Sequence, residues 1–194
     1  MRIVGGKHRG RRLAAPPGDI VRPTSERARE ALFNILAHGR LSSAPAFEDA
    51  RVLDVFAGTG ACGLEALSRG ARLATFIEKD RRAREVLAAN IKALGESNRT
   101  RLLAADALAP PRADGPYELV FVDPPYRSGL AAPALEALSR AGWIAADALV
   151  VIELAARSDF EPPQGFEALE ERRYGAGRLV FLRASRTKTT TARD

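Results

Sequence analysis

The segment Val52-Leu53-Asp54-Val55-Phe56-Ala57-Gly58-Thr59-Gly60-Ala61-Cys62-Gly63 passes from an apolar strand through a glycine-rich turn into the start of a helix. No other stretch restricts the fold as tightly. Its glycines at 58, 60 and 63 satisfy G-x-G-x-x-G. In that pattern the first glycine allows a tight turn, the second a close backbone approach to a ligand, and the third close packing of helix on strand. A strand that feeds a helix in this way and is followed by further apolar runs opens a parallel sheet covered by helices.

The rest of the chain continues the pattern. Strands are expected near 51–56, 73–78, 101–105, 117–122, 148–154, 167–173 and 178–183. A helix runs from Ala61 to Arg69, stopped by Gly70, and another from about Arg81 to Leu94, stopped by Gly95. Asp80 is placed to cap the second, whose apolar stripe is Ala83, Val86, Leu87, Ile91 and Leu94. Earlier, Pro23-Thr24-Ser25 signals a helix start, after which Ala28, Ala31, Leu32, Ile35 and Leu36 share one face; residues 39–50 read as a linker. The last two strands are joined only by Tyr174-Gly175-Ala176-Gly177, too short for a parallel crossover, so an antiparallel hairpin is expected. At the amino end, Arg2-Ile3-Val4, Gly5-Gly6 and a basic run to Leu13 suggest a small hairpin extension, followed by a Pro-Pro-Gly linker at 16–18.

With 194 residues there is room for one domain and a small appendage, and not for a second full domain. Cys62 is the only cysteine, which excludes an intrachain disulfide and a cysteine-rich zinc site; no metal site is expected. No apolar stretch approaches the length of a membrane span and Met1-Arg2-Ile3 opens no signal peptide, so a soluble cytoplasmic protein is expected. The formal charge of +6 is unevenly placed: residues 1–29 carry eight Lys or Arg against Asp19 and Glu26. Such an arm suits a phosphate backbone and makes Arg2, Lys7, Arg9, Arg11, Arg12 and Arg22 candidates for RNA binding, although charge runs also occur as solvated extensions. The tail 184–194, rich in Thr, Arg and Ser, is expected to be disordered.

Three acids mark strand ends near the glycine turn. Glu78 lies at the offset where acids bind ribose hydroxyls, and reads otherwise as a solvent-facing acid. Asp106 ends Leu102-Leu103-Ala104-Ala105, where it can accept from an adenine amine or cap a helix. Asp54 puts a carboxylate against a turn that, in a dehydrogenase, holds a pyrophosphate on the helix amino terminus. It would repel that group and suit a ligand with an ammonium. S-adenosylmethionine carries one and has no phosphate.

Asp123-Pro124-Pro125-Tyr126 follows the apolar run Leu119-Val120-Phe121-Val122. An ionised Asp123 only accepts hydrogen bonds, and Pro124 keeps its carbonyl while lacking an N–H, so both can hold the hydrogens of an exocyclic amine whose lone pair is delocalised into a base. Each residue before a proline is pushed toward an extended conformation, which stiffens the turn. Tyr126 offers a stacking face. The plainer reading is a strand-ending turn with a core aromatic. Cys62 reads as a packed small residue, and Asn34, Glu153, His8, His38 and Trp143 carry no signal that separates function from capping or packing.

Taken in order, these motifs resemble a class I S-adenosylmethionine-dependent methyltransferase. The opening Met1-Arg2-Ile3-Val4-Gly5-Gly6-Lys7, Arg22-Pro23-Thr24 with Arg27 and Arg29-Glu30, Phe56 to Gly60, Leu64 to Ala71, and Asp123 to Arg127 resemble the RsmD family, bacterial 16S ribosomal RNA guanine-N2 methyltransferases. The resemblance spans about residues 1 to 183, with His8 at a position where an aromatic is frequent. It implies a Rossmann-like α/β fold with a seven-stranded, mostly parallel sheet of order 3-2-1-4-5-7-6 and helices on both faces. It divides the chain into a basic extension (1–22), a methyltransferase domain (23–183) and the tail. It implies S-adenosylmethionine held by Asp54, Gly58, Gly60, Glu78 and Asp106, catalysis by Asp123, Pro124 and Tyr126, and methylation of guanine 966 in 16S ribosomal RNA, free or in the assembling small subunit, by a monomer. An Asp matches guanine's adjacent N1–H and N2–H donors, whereas adenine sets an acceptor beside its amine. An adenine-N6 methyltransferase, a non-catalytic RNA-binding assembly protein and a nicotinamide oxidoreductase are the rival readings.

Overall fold

The computed structural model describes residues 1–15, 26–38, 41, 46–125 and 129–185. Its centre is a sheet of β1 (Arg51–Val55), β2 (Leu73–Ile77), β3 (Thr100–Leu103), β4 (Tyr117–Val122), β5 (Ile144–Ala155), β6 (Phe166–Tyr174) and β7 (Gly177–Ala184), in the order β3-β2-β1-β4-β5-β7-β6. The first five strands are parallel and β7 runs antiparallel to both β5 and β6. This is the expected order, including the terminal hairpin. The strand order reverses between β1 and β4, and ligands of open α/β sheets bind in the crevice that such a reversal leaves at the carboxyl ends.

Parallel central strands need cover on both faces. On one face α1 (Glu26–His38), α2 (Ala61–Ser68) and α3 (Arg81–Leu94) bring Phe33, Leu64 and Leu87 against Val52 and Phe121. On the other, α4 (Ala131–Arg140) packs Leu135 and Leu138 against Leu53, Val120 and Ile152. Asp80 caps α3 by accepting from the Ala83 amide at 2.8 Å, and Gly95 ends it with φ 71°.

Three local expectations shift. The stripe of α1 is Arg29, Leu32, Phe33 and Leu36, with Ala28, Ala31 and Ile35 only half-buried. Arg29 is fully buried, where it approaches Glu65 and donates to the Arg2 carbonyl, so it is unavailable to a phosphate. On α3 Asn90 is buried, while Val86 is only half-buried. Strand β5 starts at Ile144, earlier than the apolar run suggests, because its pairing with β4 shifts register between Tyr117 and Leu119, near a left-handed Asp147 (φ 61°). The helix start at 23–25, the boundary at 22 and residues 186–194 of the tail lie outside the described residues.

The amino-terminal arm folds back on itself as a loose hairpin, with an Arg2–Arg12 bridge and Leu13 N–H donating to the Met1 carbonyl at 2.9 Å. It is seated firmly on the body. Ile3 and Leu13 join the core beneath α1 and α2, while the Val4 amide donates to Glu65 and the His8 amide to Ser68 Oγ. Lys7 and His8 converge on buried Glu96 at 2.6 and 2.5 Å, and Arg99 joins it at 2.7 Å. Burial alone would raise the Glu96 carboxyl, but these partners outweigh it and hold the group below its ordinary value.

Gly6 is where the arm meets α2. Its φ of +73° is left-handed and a Cβ there would lie 1.8 Å from the Ser68 carbonyl oxygen, a backbone atom that cannot move aside. Gly6→Ala should therefore cost about 2 kcal/mol or more in thermal melts and expose the arm to limited proteolysis. Gly10→Ala, also left-handed but with nothing within 4 Å, should cost only the backbone strain, about 1–2 kcal/mol. Equal losses from the two substitutions would show that the arm does not depend on this contact.

Candidate active site

Three carboxylates lie at the ends of adjacent strands on one face. Asp54 of β1 pairs in register with Phe121, and Val122 pairs with Ile152, which sets Asp123 beside Glu153 one pleat beyond Asp54. Alternation along the strands puts all three on the side of Val52, Phe121 and Val151, facing α1 and α2. Asp123 is pinned by its amide, which donates to the Val55 carbonyl at 3.2 Å, and Pro124 behind it is buried. Tyr126 lies outside the described residues.

The glycine turn is built around two of its acids. Asp54 is 4% exposed and accepts from the Gly63 amide at 2.9 Å. Glu78 accepts from the Gly58 amide at 2.9 Å with one oxygen and from the Asp80 amide at 2.8 Å with the other. These are amides that a pyrophosphate would need, and carboxylates hold them already, so the turn is set against a dinucleotide. Glu78, only partly buried, keeps further acceptor capacity, since a carboxylate offers about four lone-pair sites. That suits ribose hydroxyls. Asp106 accepts from the Leu108 amide at 3.0 Å and meets Lys79 at 3.3 Å, contacts that hold its carboxyl below the ordinary value.

Burial raises the Asp54 carboxyl to about 7, against the restraint of the Gly63 amide and with the help of the Glu78 charge. Burial also pushes Asp123 well above the carboxylate range, and the charges of Glu153 and Asp54 push it further. The Cys62 thiol is raised well above its ordinary value by burial and then by Asp54, which leaves it an inert packed group. A site that penalises its own negative charges so strongly is complementary to a cation. The acids therefore fit the sulfonium and ammonium of S-adenosylmethionine better than any phosphate.

The sequence missed two of the residues that build this site. Glu153 follows Val150-Val151-Ile152 as Asp123 follows Leu119-Val120-Phe121-Val122, and that shared pattern was the available signal. Asn90, 3% exposed, donates to the Thr59 and Ala14 carbonyls at 3.1 Å each and accepts from the Ala14 amide at 2.8 Å, tying the glycine turn to the arm. No sequence pattern distinguishes it from other polar helix residues.

Of the arm's cations, Arg2, Lys7, Arg9, Arg11 and Arg12 are exposed. Arg2 pairs with Glu26, Lys7 with Glu96, and Arg11 donates to the Ala93 carbonyl, whereas Arg9 and Arg12 have no ion pair among the described residues. Arg22 lies outside them.

A family model described as conserved hypothetical protein 95 matches residues 1–183. The ribosomal RNA small subunit methyltransferase D of Escherichia coli K12 is 44% identical over 154 residues, covering 79% of this chain and 74% of the relative. The chain belongs to the RsmD family. An Escherichia coli structure described as the methyltransferase yhhF superposes with a TM-score of 0.81 at 38% identity, covering 95% of this chain and 98% of that one. A Synechocystis magnesium protoporphyrin IX methyltransferase with bound SAM, at 15% identity and a TM-score of 0.59 over 82% of this chain and 79% of that one, shares the fold alone. The RsmD chain thus carries the class I methyltransferase architecture, with its acids at the reversal point of the sheet.

The raised Asp54 carboxyl has a sign-defined consequence. The native state holds a proton that the unfolded chain releases near pH 3.8, so the stability from this group is complete below that pH and is lost as pH rises through about 7. The gap corresponds to about 4 kcal/mol. Asp54→Asn keeps an acceptor for Gly63 without the charge, so cofactor-free melts of the variant should be flatter between pH 4 and 8 and higher at pH 8. A pH dependence identical to wild type would remove the assignment.

Glu78→Ala should weaken S-adenosylmethionine binding about tenfold or more, since each charge-assisted hydrogen bond to a ribose hydroxyl is worth about 1.5–3 kcal/mol. Calorimetry on the folded variant decides it, and wild-type affinity would take Glu78 out of the site.

Proposed function

We propose that this protein methylates the exocyclic N2 of a guanine in small-subunit ribosomal RNA, using S-adenosylmethionine. The observation that carries the reading is Asp123-Pro124 rigidly held at the mouth of β4, beside a glycine turn whose amides are closed to phosphate and whose acids suit a cation. The named Escherichia coli relative acts on ribosomal RNA of the small subunit, which supports the same class of substrate here. The finer assignments are guanine 966, the assembling subunit as context, a monomer and a cytoplasmic location.

When bound, S-adenosylmethionine supplies an electrophilic methyl carbon to the amine and keeps the electron pair of the broken C–S bond. The protein's part is positioning and charge. Gly58 and Gly60 allow close backbone approach, Glu78 holds the ribose, and Asp106 lies toward the adenine. Asp123 is pushed toward its protonated form by burial, Glu153 and Asp54. A cation against the same acids offsets that repulsion and returns Asp123 to the carboxylate, which then accepts an N2 hydrogen together with the Pro124 carbonyl. The same carboxylate can receive the proton that the amine loses. Tyr126 supplies the stacking face. Arg2, Lys7, Arg9, Arg11, Arg12 and Arg22 hold phosphates outside the reaction centre.

Labelled methyl transfer to 16S RNA and to isolated small subunits, followed by nucleoside mass spectrometry, should yield N2-methylguanine. N6-methyladenine would replace this reading with the adenine one. Asp123→Ala should abolish transfer and leave cofactor affinity within a few-fold, and near-normal turnover would remove the motif's proposed role.

Neutralising Arg9, Arg11 and Arg12 together should lower the slope of log affinity against log salt by roughly one unit per lost phosphate contact while cofactor affinity stays unchanged. An unchanged slope in a filter-binding series would rule the arm out as a phosphate contact.

A further inference from the structure

Asn90 stands where three parts of the molecule meet: α3, the glycine turn and the amino-terminal arm. Its side-chain amide donates to the Thr59 and Ala14 carbonyls, both at 3.1 Å, and its Oδ1 accepts from the Ala14 amide at 2.8 Å. The Ala14 N–H can only donate, so it fixes which end of the carboxamide is oxygen. Asn90 and Thr59 are each 3% exposed, so these bonds are not exchanged for water without opening the joint. One turn earlier on α3, Leu87 lies against Gly60 so closely that a Cβ on the glycine would stand 2.2 Å from the leucine Cδ1. The turn is thus seated on α3 at both Leu87 and Asn90.

Thr59 separates Gly58 and Gly60, the two glycines assigned to close approach of the cofactor. Asp54 and Glu78 hold the amides of Gly63 and Gly58 from the ends of sheet strands. Asn90 holds a carbonyl between those two amides, and is itself held by the arm. Thr59 Oγ1 also meets the Met1 sulfur at 4.0 Å, a much weaker contact with the same arm. Arg9, Arg11 and Arg12 lie just ahead of Ala14, and Leu13 beside it is buried with its amide on the Met1 carbonyl. Phosphates that fix those cations fix the backbone that Asn90 bonds, and through it the Thr59 carbonyl. The cofactor then has less freedom to freeze out of the turn, which raises its affinity. Linkage makes the effect reciprocal.

We infer that Asn90 is a positioning residue that couples the two binding events, so that RNA on the arm and S-adenosylmethionine at the turn each tighten the other; this rests on the reading of the arm as a phosphate contact.

Calorimetry with S-adenosylhomocysteine, which cannot transfer a methyl and lacks the sulfonium charge, tests the coupling in the presence and absence of a saturating 16S RNA fragment. Wild type should bind it about tenfold more tightly with RNA, and RNA should gain the same factor from saturating S-adenosylhomocysteine in filter binding. In Asn90→Ala the factor should fall to about two or less. A merely structural role would weaken both ligands and leave the factor unchanged, which would overturn the coupling through Asn90. A factor near one in wild type would overturn it without any variant. Hydrogen exchange decides the matter should Asn90→Ala fail to fold. In wild type without RNA, S-adenosylhomocysteine should slow exchange of the amides at 11–15 by about threefold or more, although no residue assigned to the cofactor lies on the arm. Unchanged exchange there would overturn the link. If neutralising Arg9, Arg11 and Arg12 leaves the salt slope of RNA binding unchanged, the arm reading itself falls; a sensitive slope with a factor near one removes the role of Asn90 alone.

Discussion

The carboxylate of Asp54 on the amide of Gly63 sets the geometry at the carboxyl end of β1. That bond draws the first turn of α2 down onto the sheet, and the approach is so close that a Cβ on Gly63 would lie 2.4 Å from the Phe76 ring. The chain bends sharply to make it, with Phe56 itself in a left-handed conformation (φ 58°), a strain that persists because strand, turn and helix all specify it. Glu78 then fixes the Gly58 amide from the next strand. The two acids shape the turn and occupy the donors that would otherwise define a phosphate site.

The same acids are costly. Asp54, Asp123 and Glu153 share one face; burial pushes Asp54 and Asp123 toward their neutral forms, and the charges of Glu153 and Asp54 add to the push on Asp123. A fold that bears this repulsion when empty gains from any cation that binds there, because a ligand that favours the native state stabilises it by mass action. Affinity for a sulfonium and the ionisation of Asp123 are thereby coupled. On the proposed reading, one arrangement of charge serves both cofactor choice and readiness of the acceptor.

The amino-terminal arm depends on buried charge in a different way. Glu65 and Glu96 are both nearly inaccessible, and each gathers partners from distant parts of the chain: Arg29, Arg69 and the Val4 amide at Glu65; Lys7, His8 and Arg99 at Glu96. Buried ion pairs contribute little net stability, since desolvation offsets much of their attraction. What they supply here is a single docked position for the arm. Asn90 extends that position to the glycine turn. The exposed cations are therefore presented from a surface fixed relative to the reaction centre.

Much of the architecture could be read locally. Apolar runs, the Asp80 cap, the Gly95 stop and the four-residue joint of the final hairpin are short-range signals, because backbone periodicity and turn chemistry are decided within a few residues. The glycine turn, Glu78 and the Asp123 motif were legible for the same reason, as residue types whose chemistry is unusual at a strand end. Contacts between distant segments were not. The α1 stripe was misplaced because Arg29 reads as a surface residue until Glu65 is known to lie beneath it, and Asn90 looks polar until Ala14 and Thr59 meet it. Glu153 joins Asp123 only through the register of β4 on β5, which a shift at Tyr117 and Leu119 helps to set. The sequence by itself determined which elements form and which acids end the strands. Only the tertiary structure decided which of those acids face one another, because burial and like-charge repulsion depend on distances that no local pattern encodes.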